Sequence, residues 1–107
     1  MLNIRQISFI DYPNLIGTAR LGINVSPEMI AKKLGMNIET SFDELGAFSF
    51  LGIAAGDVIL GLRRYSQKDD EYSYISTLNT TPTVVSERIK EILPSFEIEF
   101  SEFDEDW

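Results

Sequence analysis

The chain has 107 residues, 44% of them apolar, and a formal net charge of −8, with no cysteine and no histidine. That length suits one domain whose single core needs no staple. The absent residue types exclude disulfides, thiolate or imidazole metal centres, a cysteine nucleophile and a histidine general base.

In chain order, Leu2 to Ile10 is rich in isoleucine and phenylalanine and reads as a strand. Asn3, Arg5 and Gln6 interrupt it, so it does not read as a signal peptide. Asp11-Tyr12-Pro13-Asn14 is a turn. Leu15 to Val25 ends in clean alternation and predicts a half-buried strand. Ser26-Pro27-Glu28 opens a helix: Ser26 caps free amides, Pro27 suits the first helical position and Glu28 complements the positive helix end. Gly35 terminates it, with Met29, Ile30 and Leu34 expected on the buried side. Ser41-Phe42-Asp43-Glu44 matches a capping box and predicts one helical turn over Phe42–Leu45. Ala47–Ile53, Val58–Tyr65 and Tyr72–Leu78 form a predicted antiparallel meander, joined by the Gly56-Asp57 turn and a polar loop from Ser66 to Glu71. Thr81-Pro82 starts a second helix with Val85, Ile89, Ile92 and Leu93 on one stripe, and Pro94 stops it. Phe96 to Phe100 alternates strictly, giving a last strand with Phe96, Ile98 and Phe100 facing the core. Asn24-Val25-Ser26 and Asn79-Thr80-Thr81 match glycosylation acceptors but read as helix entries.

The expected fold is α+β in the order β-β-α-β-β-β-α-β. An antiparallel or mixed sheet of five to six strands carries two helices on one face, in a single domain spanning residues 1–107. Without the first strand and one meander strand, the order becomes β-α-β-β-α-β, the ferredoxin-like succession. The longest apolar runs, such as Phe50–Ala55, are far too short to span a bilayer, and a cytoplasmic protein is expected.

Catalytic chemistry would have to come from carboxylates. Asp11, Asp43, Glu44 and Asp57 lie at turns or strand ends, where a pair could do acid–base work or hold Mg²⁺. Each also has a local structural reason to be acidic. No P-loop, dinucleotide fingerprint, nucleophile elbow or EF-hand pattern occurs, and no enzyme and no cofactor is expected. Arg63-Arg64 is the densest basic spot and reads as a solvated strand end that pairs with the acidic C-terminus. The glycines at 17, 22, 52, 56 and 61 read as bulges or close-packing positions rather than a phosphate cradle.

Charge is distributed unevenly. Residues 96–107 hold six of the 17 acidic side chains, Glu97, Glu99, Glu102, Asp104, Glu105 and Asp106, and none of the nine basic ones. Such a surface repels nucleic acid and anionic membrane, and it draws in a basic protein. Residues 101–107 read as an acidic tail carrying two aromatics, Phe103 and Trp107. These either fold back onto the domain or anchor a partner whose approach the acids steer. Asp69, Asp70 and Glu71 form a second acidic patch.

On the Glu97–Trp107 segment together with size, acidity and class, the chain resembles bacterial toxin-immunity proteins of the contact-dependent growth inhibition type. That resemblance implies a non-catalytic inhibitor whose carboxylates stand where a toxin's acidic substrate would go. Its partner-binding residues would be Glu97, Glu99, Glu102, Phe103, Asp104, Glu105, Asp106 and Trp107, with Asp69, Asp70 and Glu71. Two alternatives stand beside it: a structural or regulatory subunit that self-associates through a sheet edge, and a small carboxylate/Mg²⁺ enzyme.

Overall fold

A computed structural model describes residues 3–12, 15, 21–67, 71–78 and 80–102. Both helices begin as their sequences dictate. Ser26 sits in extended geometry ahead of α1 (Pro27–Leu34), and its hydroxyl accepts from Met29 N at 3.2 Å. Thr81 does the same for α2 (Pro82–Ile92), accepting from Val84 N at 3.4 Å. The two acceptor-like tripeptides therefore do overlap helix entries. In α1 the buried residues are Pro27, Ile30 and Ala31, whereas Met29, expected inside, is 48% exposed. Ile30 and Ala31 set the helix's inward direction, and a residue one position earlier is rotated away from it.

Seven strands form one antiparallel sheet: β1 (Ile4–Ile7), β2 (Leu21–Ile23), β3 (Glu39–Asp43), β4 (Gly46–Ala55), β5 (Val58–Tyr65), β6 (Ser73–Thr77) and β7 (Phe100–Glu102). The path runs β1-β4-β5-β6-β2-β7, with β3 also on β4. The class is α+β as expected, with one strand more than anticipated. That strand is β3, which occupies the segment read as a capped helical turn. A capping box is a purely local signal, and here it loses to five residues of ladder with β4, from Glu39↔Phe50 to Asp43↔Gly46. Within the segment read as Leu15–Val25, the described strand is Leu21–Ile23, while Leu15 closes a turn through Leu15 N to Tyr12 O at 3.0 Å. Residues 13–14 and 16–20 lie outside the described residues.

β7 and β6 both run antiparallel to β2 and flank it, and β5 lies beyond β6. With α1 following β2 and α2 joining β6 to β7, this is the split βαβ arrangement that the element order suggests. Both helices pack on one face, where Ile30, Val85, Ile89 and Ile92 meet Leu51, Ile53, Leu60, Leu62 and Ile75. Burying each such side chain contributes roughly 1.5–3 kcal/mol.

The opposite face has its own aromatic core of Phe48, Phe50 and Tyr65 with Ile7 and Leu15, flanked by Phe9, Tyr12 and Tyr74. Phe9–Phe50 and Phe48–Tyr65 meet edge to face, each at 5.7 Å between centroids. The cross-strand pair Gly52↔Gly61 makes the close approach possible. A Cβ on Gly52 would sit 2.6 Å from Ile7 O, and one on Gly61 would sit 2.8 Å from the Phe50 ring and 3.0 Å from Leu15 Cβ. These glycines are packing positions.

β4 has ten residues and is the spine of the sheet. One edge of it is shared: β3 pairs with its first half, and β1 pairs with its second half, Ile4↔Ala55 to Ile7↔Gly52. Glu39 fastens the junction, accepting from Ser8 Oγ at 2.7 Å and from Phe9 N at 3.3 Å. Among the described residues, no helix is long and apolar enough to cross a membrane.

Candidate protein-binding surface

Ile23 pairs with Ser73 on one side and with Phe100 on the other. The residues just before those partners, Glu71 in one chain segment and Glu97 and Glu99 in the other, therefore bracket the C-terminal end of β2. All three are exposed. The 97–99 segment makes no strand ladder. Instead the Asn24 side chain imitates a strand, donating to Glu97 O at 3.3 Å and accepting from Glu99 N at 2.8 Å. Phe96, Ile98 and Phe100 pack inward as their alternation predicts, which turns Glu97 and Glu99 outward. The strand itself starts only at Phe100 and runs through Ser101 and Glu102, residues that sequence assigned to the tail. Glu102 closes β7, its backbone paired with Leu21. Phe103, Asp104, Glu105, Asp106 and Trp107, together with Asp69 and Asp70, lie outside the described residues.

The same end of the sheet carries the β3–β4 turn, a feature the sequence reading missed. Glu44 and Leu45 form a two-residue loop between the last ladder pair, Asp43↔Gly46. Gly46 has φ 121, a conformation that disfavours any residue with a side chain. Asp43 braces the loop with both carboxylate oxygens: Oδ1 accepts from Leu45 N at 2.8 Å, and Oδ2 accepts from the Tyr65 hydroxyl at 2.6 Å. The Gln67 side-chain amide donates to Leu45 O. The Tyr65 hydroxyl is pushed up to about 12, first by burial and then by its hydrogen bond to Asp43, so it remains a donor at neutral pH. On this braced frame two large apolar side chains face solvent, Phe42 at 80% and Leu45 at 64% exposure. The sequence carries little signal for them, since Phe42 is the one apolar residue of Glu39–Asp43 and the capping box overlies it.

The other candidates disperse. Asp43 and Asp57 lie at opposite ends of β4, and Asp57, nearly fully exposed, faces Arg88 at 3.6 Å. Asp11 lies in the turn after β1, where its backbone N donates to Ser8 O at 3.1 Å. Among the described residues, no three acidic side chains converge as a cation site.

Arg63 and Arg64, expected as one solvated spot, point to opposite faces as strand neighbours must. Arg64 reaches Glu28 at 3.9 Å on the helix side, where Ser49 Oγ also donates to Glu28 at 2.6 Å. Arg63 is buried on the aromatic side, 5.8 Å from the Tyr65 ring centroid.

An open cleft of about 620 Å³ lies where β1 meets β3, lined in part by Arg5, Asp11, Tyr12, Asn37 and Glu39. Much of its polar wall is already committed to structure. Glu39 holds the 8–9 turn, and Gln6 pairs its side-chain amide with both backbone groups of Asn37, accepting from Asn37 N at 3.1 Å.

Compared with known proteins, the chain matches no family model, no curated protein and no solved structure.

Proposed function

We propose that this chain is a non-catalytic binding protein that neutralises a basic protein, in the way an immunity protein covers a toxin's active site. The observation that carries the reading is the outward placement of Glu71, Glu97 and Glu99 around the C-terminal end of β2, on backbone fixed by β6, β7 and Asn24. Carboxylates held on an ordered frame lose little freedom on binding, and they speed the encounter with a cationic surface. The overall charge of −8 adds to the same attraction. On this reading Glu102, Asp104, Glu105 and Asp106 add to the same negative charge, and Phe103 and Trp107 supply apolar contact.

The test is co-purification of the tagged chain from its native host, followed by binding measurements on whatever is recovered. A basic protein is expected, with affinity that weakens as salt rises and falls further in the Glu97→Lys/Glu99→Lys variant. Recovery of no partner, or of an acidic one, would sink the proposal.

A second reading is self-association through a sheet edge. It draws support from β1, which occupies the edge position that reading requires. A mass that doubles with concentration in the purified chain alone would favour it.

A further inference from the structure

We infer that the β3–β4 turn is the apolar anchor of the binding surface, and that Phe42 and Leu45 enter an apolar pocket rimmed by basic side chains on a partner protein. The inference rests on the reading above and adds the contact that would hold the partner once charge has drawn it in.

Three observations converge on the turn. First, exposure is concentrated: of the four large apolar side chains that stand well exposed among the described residues, two belong to this one turn. Alternation puts Phe42 on the helix side of the sheet, beside Thr40 and across from Ala47, and Ala47 is itself exposed. No helix residue covers that corner closely enough to bury the ring.

Second, the turn is rigid for a structural reason. Asp43 is hydrogen-bonded at both oxygens, Gln67 fixes Leu45 O, and Ser66 N donates to Ala47 O at 2.9 Å. A loop already held in one shape gives up little entropy on binding, and rigid aromatic residues dominate the energetics of protein interfaces.

Third, the surroundings define the occupant. Asp43 and Glu44 lie within the turn, and Glu71 belongs to the neighbouring β5–β6 connection at the same end of the sheet. Arg64, the nearer arginine in the ladder, faces Glu28, and Arg63, one residue farther from the turn, is buried. An apolar tip beside Glu44, at the end of the sheet that also carries Glu71, complements a cationic protein surface, and it opposes a second copy of this chain, which would bring the same charges.

The experiment places a photo-crosslinking benzoylphenylalanine at position 42 in the full chain expressed in its native host. A control chain carries it at Thr83, an exposed position on α2. The protein joined to position 42 is identified, purified and titrated against wild type, Phe42→Thr/Leu45→Ser and Glu44→Lys. The expected result is an adduct with a basic protein at position 42 and none at position 83. The double variant should then bind at least roughly 30-fold more weakly with an unchanged melting temperature, and Glu44→Lys should bind more weakly than wild type.

An adduct with a second copy, an adduct with an acidic protein, or no adduct at position 42 overturns the inference. So does a smaller loss in the double variant. In that last case, if Glu97→Lys/Glu99→Lys still weakens the purified pair, the general reading survives and only the anchor falls. If that variant also binds normally, both fall together.

Discussion

β4 ends in a two-residue turn at each extremity, and the two turns treat solvent in opposite ways. At the Gly56-Asp57 turn the flanking Ala55 and Val58 are buried, Gly56 N donates to Asn3 O at 2.8 Å, and the exposed Asp57 faces Arg88. At the Glu44-Leu45 turn the interior of the loop is just as well bonded, through Asp43, Tyr65 and Gln67, yet its large side chains point outward. Loop length is the same, so length does not explain the difference. The first turn closes the molecule. The second carries exposed apolar groups that the fold does not require, and a rigid exposed aromatic is a typical feature of recognition surfaces.

Four measurements break or sharpen this contrast. The largest effect is expected from Leu51→Ala, which empties a fully buried site on the strand both turns share. It should cost roughly 2–5 kcal/mol in urea unfolding and loosen both ends alike.

Tyr65→Phe removes the donor to Asp43 at one end only, and a loss of about 1–3 kcal/mol is expected. It also carries a pH signature. The Tyr65 hydroxyl ionises near pH 10.0 when unfolded and near 12 when folded, so its stabilisation is complete below pH 10.0 and fades as pH rises through 12. The wild-type advantage over Tyr65→Phe should shrink across that window by on the order of 2 kcal/mol. A constant difference would remove Tyr65 from the account.

At the closing turn, Asp57→Asn should cost no more than about 1 kcal/mol, and the difference should vanish in high salt, because the ion pair is exposed. Smallest of all, Phe42→Thr should leave the unfolding midpoint within about 0.5 kcal/mol of wild type. A large loss there would mean that the ring supports the fold and is not reserved for a partner.

What the sequence made legible follows the range of each signal. Ser26-Pro27 and Thr81-Pro82 are local cap chemistry, and both helices start there. Val58–Tyr65 was bounded correctly because turn residues frame it and its apolar content matches a strand covered on both faces. β3 was missed because its partner lies across a turn that sequence reading did not recognise, while a local motif offered a helix. The split fate of Arg63 and Arg64 follows from strand alternation alone and could have been read. The short β7, beginning only at Phe100, could not, because it depends on a register with β2, more than seventy residues earlier. Asn24 serving as a stand-in strand for residues 97–99 was equally invisible, since a side chain there does the work of a backbone.

The divided edge of β4 has a consequence for how the chain is made. β3 can close on β4 as soon as Gly46–Phe50 leaves the ribosome, because its partner follows at once. β1 must wait for Gly52–Ala55, nearly fifty residues after it was synthesised, and β2 waits longer still for Ser73–Ile75. β1 and β2 are therefore seated late, and until then Ile4, Ile7, Leu21 and Ile23 remain apolar surface in search of cover. A chaperone that shields nascent apolar segments should engage β1 and β2 before β6 is made.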